Sequence, residues 1–358
     1  MTTASEKYVF LITSDTYKDD ILNLLCLEKG MRYRFRYREE WIPMEFFERD
    51  NQGREKYLGL VGKNGLVIFF DISKREFFPI MRVVIHQVEK LGDILHVEFT
   101  VSELIRYGIE DEGVNEYHSL IQKCIPKEYI SGMPWALKKF ILLTNIPINE
   151  IVTNDDLISW SRILHKIWHL GAFKKSLFLK ILKIIDSKGT VLRPQEVSSK
   201  TKEVGYVLSS SEIYKLEILQ RAKDDFPTFD PFKLKLLFVG DHIITIKESA
   251  MIVGKYDKLG LTLRTKWRKS DTISIIGLRS DKKVDIDLPE VYIPLKIKKD
   301  IVKLAGSVFT IITGCLVAAS SGYIPQLLGL SEALSPLLGF LGAVFVALGV
   351  AWLRPMYE

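Results

Sequence analysis

The chain has few cysteines and no segment typical of a secretory signal. Its three cysteines, Cys26, Cys124 and Cys315, are widely spaced and odd in number. No disulfide framework is therefore predicted, which indicates a reducing compartment. The first seven residues lack a basic segment followed by an apolar run, so no secretory signal is predicted either.

Motifs for catalysis and for metal binding are also missing. Gly59, Gly62 and Gly65 are three residues apart, but the order Gly-Lys-Ser/Thr of a phosphate-binding loop does not occur there. His165 and His169 are four residues apart, and no third zinc ligand accompanies them. The sequence therefore predicts a protein that is not an enzyme and has no cofactor or metal. Catalytic groups that are distant in the sequence can still be brought together by folding.

Formal charge is missing from two long runs near the C terminus. Neither residues 304–324 nor residues 334–353 contain an Asp, Glu, Lys or Arg. As helices, these runs of 21 and 20 residues would each be about 30 Å long, the thickness of the hydrocarbon core of a bilayer. Because lysines precede the first run and the connection has neither Lys nor Arg, the positive-inside rule predicts a two-span protein of the cell membrane, with its soluble head and both termini in the cytoplasm. The membrane-flanking residues are Lys296, Lys298, Lys299 and Lys303.

Small residues recur at four-residue spacing in both runs. Such residues let helix backbones approach closely in lipid. Two interpretations stay open: the two helices of one chain only pack on each other, or one stripe pairs within the chain while others assemble several chains into a homo-oligomer. The helix-packing candidates are Gly306, Gly314, Gly339 and Ala343.

With 358 residues the chain is long enough for two or three domains. Alternating patterns predict an α+β multidomain soluble head, followed by a two-helix transmembrane hairpin. The predicted parts are an N-terminal α+β domain (1–130), a helical basic segment (131–203), a β-rich membrane-proximal domain (204–298) and the hairpin (299–358).

Four arginines alternate with aromatic residues between positions 32 and 38. A strand over this segment would place the aromatic rings on one face and the guanidinium groups on the other. Either the arginines pair with carboxylates on neighbouring strands, or they form a pocket for a phosphate-bearing ligand. The arginines are Arg32, Arg34, Arg36 and Arg38, and the nearby carboxylates are Glu39, Glu40, Glu45 and Glu48.

A second basic cluster precedes the first apolar run. Residues 251–303 contain thirteen basic and seven acidic residues, a net charge of +6. Anionic phospholipid attracts each nearby Lys or Arg by about 1 kcal/mol, so lipid binding is predicted here. Neither paired zinc ligands nor an RNP motif indicates sequence-specific binding of nucleic acid. The lipid-binding candidates are Lys255, Lys258, Arg264, Lys266, Arg268 and Lys269, together with the four arginines.

This plan, a basic head of about 300 residues before a two-span hairpin, resembles the membrane effectors encoded beside short archaeal Argonaute proteins. The resemblance implies activation by an Argonaute complex, binding of anionic phospholipid through a basic pocket, membrane depolarisation and death of the infected cell. The leading hypothesis is accordingly a toxic transmembrane effector of an antiviral defence system that acts as an oligomer. The alternatives are a membrane-tethered adaptor or sensor that recruits a soluble partner without forming a pore, and a membrane-anchored hydrolase.

Overall fold

The fold is that of a computed structural model. It describes residues 6–42, 48–49, 55–56, 59–108, 115–127, 129, 139–199, 203–226, 229–239, 243–247, 249–268, 270–281, 284–327 and 335–353.

Seven strands form the first sheet, in the order β2-β7-β6-β5-β1-β8 with β9 beside β7. β1 runs parallel to β5 and antiparallel to β8. Residues 8–12 of β1 are buried throughout, as expected for an apolar strand with both sheet faces covered. The strands up to this point are β1 (Glu6–Ser14), β2 (Arg32–Arg38), β3 (Glu48–Arg49), β4 (Glu55–Lys56), β5 (Asn64–Asp71), β6 (Glu76–Leu91), β7 (Ile94–Ile105), β8 (Phe140–Ile146) and β9 (Thr153–Asn154), of which β3 and β4 pair only with each other.

In the described part of the chain, the helices beside this sheet include α1 (Lys18–Cys26), α2 (His118–Cys124) and α3 (Leu157–Trp168). In α1 the apolar side chains are buried, whereas Asp19 and Asp20 lie in its first turn, where carboxylates interact favourably with the helix dipole. α3 begins after Asp156, whose carboxylate accepts a hydrogen bond of 2.6 Å from the Ser159 backbone N–H. Short 3₁₀ turns occur at Asp15–Tyr17, Glu39–Trp41, Ile148–Glu150 and Gly171–Phe173.

Two further sheets follow. The second sheet has the order β11-β10-β14-β18-β16, and the third has the order β12-β13-β20-β19-β15-β17. In the centre of the second sheet, Tyr214, Leu216 and Ile218 of β14 alternate with outward-facing residues and point into the core. The strands are β10 (Phe178–Asp186), β11 (Val191–Leu192), β12 (Gln195–Glu196), β13 (Val204–Ser209), β14 (Ile213–Arg221), β15 (Phe232–Val239), β16 (Ile243–Lys247), β17 (Ser249–Ile252), β18 (Tyr256–Thr265), β19 (Thr272–Ser280) and β20 (Tyr292–Lys298).

The prediction of a helical segment over 131–203 is wrong for much of its length. α3 is helical, but Phe178–Asp186 is strand β10 and pairs antiparallel with β14. A short apolar run is compatible with either period, and here the neighbouring strand satisfies the backbone N–H and C=O groups that a helix would have paired internally. The basic residues of this segment therefore belong partly to a sheet.

A helical hairpin ends the described chain. α4 (Ile301–Ser320) and α6 (Ser335–Leu353) pack against each other, and the short helix α5 (Ile324–Leu327) follows α4. α4 ends four residues before the end of the uncharged run, because residues 321–323 form a turn in which Ser321 N–H donates to the Ala318 carbonyl.

Within the described ranges, we find no helix of sufficient length and apolarity to cross a bilayer. The prediction of a transmembrane hairpin is therefore wrong, as is the predicted placement as a two-span protein of the cell membrane with cytoplasmic termini. The first uncharged run and α4 do not coincide, since α4 begins at Ile301, includes Lys303 and ends at Ser320.

The lysines predicted to flank the spans have other surroundings. Lys296 lies on β20 and its ammonium group is 3.3 Å from an Asp271 carboxylate oxygen. The backbone N–H of Lys299 donates to the same carboxylate. Lys298 is the last residue of β20, and Lys303 lies in the first turn of α4.

Candidate functional site

The arginines of β2 lie at the edge of the first sheet. β2 pairs only with β7 among the strands described, so its other edge is free of strand partners. Phe35 and Tyr37 are completely buried, whereas Arg34, Arg36 and Arg38 are exposed. The predicted separation of rings and guanidinium groups onto two faces is thus confirmed.

Two of these arginines share one carboxylate. Glu98 of β7 accepts a hydrogen bond of 2.8 Å from Arg32 and one of 3.0 Å from Arg34. Pairing with a carboxylate on a neighbouring strand was predicted, but Glu98 was not named, because it lies 66 residues from Arg32 in the sequence and only strand pairing places it opposite Arg34. Arg36 has no carboxylate partner among the described residues.

The carboxylates named from the sequence contribute little. Glu40 lies 3.8 Å from Arg38, and both side chains are mostly exposed. Glu39 binds Lys90 at 2.6 Å instead of an arginine. Glu48 forms part of β3, and Glu45 lies outside the described residues. Glu98 of the neighbouring strand thus offsets one of the two charges of Arg32 and Arg34, and the outer half of β2 stays positive.

A cavity of about 620 Å³ opens beside this strand, a volume typical of small-molecule sites. Arg32, Arg34 and Arg36 line one part of it, and residues of α1, β13 and β20 line the rest. The acidic side chains among the lining residues are Asp19, Asp20, Glu98, Glu203 and Glu290. The cavity therefore presents charges of both signs to a ligand.

A buried lysine closes the cavity near α1. The Lys139 ammonium group lies 2.5 Å from Asp20 and 4.8 Å from the centres of the Tyr17 and Phe35 rings. Burial lowers the pKa of Lys139, and the Asp20 carboxylate counteracts that effect. Because ring faces and a carboxylate stabilise a cation, Lys139 is a structural positive charge, one that sequence analysis did not single out.

The second sheet carries a different basic surface. Glu217 of β14 is buried, and its carboxylate lies 2.9 Å from Lys258, 3.0 Å from Lys215 and 3.7 Å from Lys183. Hydrogen bonds from Lys258 and Lys215 lower the pKa of Glu217 to about 2. Three ammonium groups from three adjacent strands thus surround one ionised carboxylate.

Arg264 extends the same surface. It lies opposite Ile213 on β14, and residues 213, 215 and 217 share the outward side of that strand. We call Lys183, Lys215, Lys258 and Arg264 the basic face. Exposed Ile213 and Tyr256 lie beside these four residues and add apolar surface.

The cluster of six predicted lipid-binding residues in 255–269 is divided. Lys258 and Arg264 belong to the basic face. Lys255 donates instead to the Asp224 carbonyl, and Lys266 is half-buried just beyond β18. The Arg268 N–H donates to the Ser210 hydroxyl at 2.7 Å, and Lys269 lies outside the described residues. The described residues of this cluster do not form one surface, because only Lys258 and Arg264 lie on β18, which begins at Tyr256 and ends at Thr265.

The helix-packing candidates are also divided. A Cβ added to Gly314 would lie 2.7 Å from the Gly342 carbonyl oxygen, so the α4 and α6 backbones approach closely at this point. Gly339 is half-buried with only Ser321 near, Gly306 is half-buried, and Ala343 is exposed. The close contact on α6 is made by Gly342 and Gly349, which sequence analysis did not select.

No group of three or more His, Cys, Asp or Glu side chains in the described ranges could hold a metal ion.

Comparison with known proteins gives little further guidance. No protein family matches the chain, and no characterised protein matches it. Among solved structures, the chain is similar to the native conformation of Escherichia coli alpha-2-macroglobulin, with 9% identity over 71% of this chain and 19% of that chain. The TM-score is 0.19, so this similarity does not define a shared fold.

Proposed function

We propose that the protein binds anionic phospholipid headgroups through the basic face. The observation that carries this proposal is the convergence of Lys183, Lys215 and Lys258 on the single carboxylate of Glu217. With Arg264, four cations and this one carboxylate give the surface a formal charge of +3.

Glu217 explains how such a surface can exist in a stable sheet. Like charges on adjacent strands repel each other, and the carboxylate between them offsets that repulsion. It cannot neutralise all of them, so the ammonium groups retain donors for phosphate oxygens. Ile213 and Tyr256 beside the cations suit contact with the apolar part of a lipid interface.

The test is binding to phosphatidylglycerol vesicles, with phosphatidylcholine vesicles as the neutral comparison. The full chain should bind the anionic vesicles, and binding should weaken as salt rises. Changing Lys215→Gln together with Lys258→Gln should weaken binding by roughly thirtyfold, since each lysine contributes about 1 kcal/mol.

The matched control is Lys74→Gln with Lys123→Gln, which removes two exposed lysines from the region of the first sheet. This control should retain binding. Equal loss in both double variants would show that net charge, and not the basic face, governs binding.

A role in antiviral defence, with an Argonaute complex as activator, stays a prediction from the resemblance. Co-expression with the genomic neighbours tests it by counting surviving cells after the guide target is supplied. Loss of killing in the Lys215→Gln, Lys258→Gln variant would connect killing with lipid binding, whereas killing without the neighbouring Argonaute would contradict its role as activator.

A second candidate function is self-association through the helical hairpin. Phe309 and Leu316 of α4 and Phe340 of α6 are 72%, 65% and 66% exposed. Such a concentration of exposed apolar side chains is typical of interaction sites. We assign the surface to a second copy of this chain, because two uncharged faces can meet without burying any charge.

Light scattering of the purified chain tests this assignment. The wild-type chain should have the mass of an oligomer, and Phe309→Ser with Phe340→Ser should reduce that mass. Tyr256→Ser, which removes an equally exposed ring elsewhere, should leave it unchanged. A monomeric wild-type chain would contradict self-association.

A further inference from the structure

The cavity beside β2 has a charge arrangement different from that of the basic face. Several of its charges are satisfied within the protein: Glu98 binds Arg32 and Arg34, and Asp20 binds Lys139. Arg36, which has no carboxylate partner among the described residues, and the half-exposed Arg34 both line the cavity and can contact a ligand. The cavity can therefore accept one anionic group next to β2.

Carboxylates lie on the other part of the lining. Asp19 of α1 and Glu290, just before β20, both face the cavity, together with Glu203 before β13. Burial and the neighbouring carboxylates Asp287, Asp20 and Glu290 raise the pKa of Asp19, while Lys18 counteracts them. An additional cation in this part of the cavity would relieve the repulsion between these groups.

We propose that the cavity binds a small zwitterion, with its carboxylate or phosphate at Arg34 and Arg36 and its protonated amine at Asp19 and Glu290. A purely anionic ligand would meet the carboxylates, and a purely cationic ligand would meet the arginines. A molecule with both groups has a partner for each of its charges, whereas like-charge repulsion weakens the binding of a ligand that carries only one of them. This proposal is independent of lipid binding by the basic face.

The required chemistry, an ammonium group and an anionic group on one short chain, has two common sources. One is a free amino acid, and the other is the phosphoethanolamine headgroup. Calorimetry with glycine, β-alanine, 4-aminobutyrate and O-phosphoethanolamine separates them, because the series varies both the anionic group and its distance from the amine. Inorganic phosphate, acetate and methylamine serve as the one-ended fragments.

At least one zwitterion should bind about tenfold or more tightly than either of its fragments, since linking two weakly bound groups makes the second contact intramolecular. Preference for O-phosphoethanolamine would identify the headgroup as the source, and preference for an amino acid would identify a free metabolite. The proposal is overturned if no zwitterion binds more tightly than its fragments. It is also overturned if an added nucleotide binds and no zwitterion does.

Variants assign the two ends of the ligand. Arg36→Gln should weaken the zwitterion and the anionic fragment by about tenfold, whereas Glu290→Gln should weaken the zwitterion and the amine fragment. Arg38→Gln and Asp285→Asn are the matched controls: Arg38 lies on the same strand and Asp285 is highly exposed, and neither lines the cavity. Unchanged binding in both Arg36→Gln and Glu290→Gln would overturn the assignment, and Lys215→Gln should have no effect on it.

Discussion

Gly342 of α6 faces Gly314 of α4 so closely that a Cβ on Gly342 would lie 2.7 Å from the Gly314 carbonyl oxygen. The same Cβ would lie 2.6 Å from the Ala318 backbone nitrogen. Both neighbours are backbone atoms that no side-chain rotation can move away. The two helices of the hairpin can therefore approach this closely only with glycine at position 342.

Gly342→Leu should open the hairpin, whereas Ala343→Leu should be tolerated because Ala343 is exposed. Overpacking of this kind costs about 1–3 kcal/mol. Hydrogen exchange of the α4 and α6 amides should show a corresponding decrease in the free energy of local opening for Gly342→Leu alone. An equal decrease in both variants would contradict the observed helix register.

The hairpin shows what spacing in a sequence can and cannot predict. Two uncharged runs predicted two helices, and α4 and α6 are present. A four-residue repeat can be drawn along several neighbouring rows of side chains on one helix, and each row is shifted from the next by one residue. The choice between Gly342 and Ala343 depends on how α6 is rotated against α4, which no pattern within a single helix determines.

Glu98→Gln should destabilise the first sheet. Glu98 and Arg32 have side chains only 14% and 15% exposed, so removal of the carboxylate charge would leave a largely buried guanidinium group poorly compensated. We expect a loss of about 1–3 kcal/mol in the free energy of unfolding, measured by urea denaturation. Hydrogen exchange of the β2 and β7 amides, measured separately, should show where the loss occurs.

Glu40→Gln is the control for this change. Its carboxylate lies 3.8 Å from Arg38 and is 61% exposed, so water screens the pair. The control should change stability by less than about 0.5 kcal/mol. A similar loss in both variants would mean that the arginines respond to total charge and not to the Glu98 contacts.

The pKa of Glu217, lowered to about 2, predicts a dependence of stability on pH. Because this pKa is lower in the folded chain than the usual value of 4.5, the folded state favours the ionised form. The resulting stabilisation is complete above about pH 4.5 and is lost as the pH falls through about 2. The difference in urea midpoint between the wild-type chain and Glu217→Gln should therefore be largest at neutral pH and shrink in acid. A difference that is independent of pH would show that packing, not charge, gives Glu217 its role.

The two basic surfaces differ in how well the sequence predicted them. The prediction of the arginine strand was correct in the residues that it covers and in the side chains on each face, because a strict period of two determines both. The basic face was not predicted as a unit, since Lys183, Lys215 and Lys258 come from three strands and meet only through the register of β10, β14 and β18. Of the residues selected from the sequence, Lys258 and Arg264 lie on the basic face, whereas Lys255 and Lys266 lie elsewhere. Local period predicts which face a residue occupies, but strand pairing decides which residues share it.

Glu28 predicts a pH dependence of the opposite sign. Burial raises the pKa of Glu28 to about 7, above the usual value of 4.5, so the folded chain favours its neutral form. Below about pH 4.5 the carboxyl group is neutral in both states and has no net effect. As the pH rises to about 7, ionisation favours the unfolded chain and stability decreases.

Glu28→Gln keeps the shape without the charge, so it should unfold at a higher urea concentration than the wild-type chain at pH 8 and at an unchanged concentration at pH 4. Glu196→Gln, at an exposed position on β12, is the control and should shift neither midpoint. If Glu28→Gln shifted both midpoints equally, hydrogen bonding rather than ionisation would account for the effect.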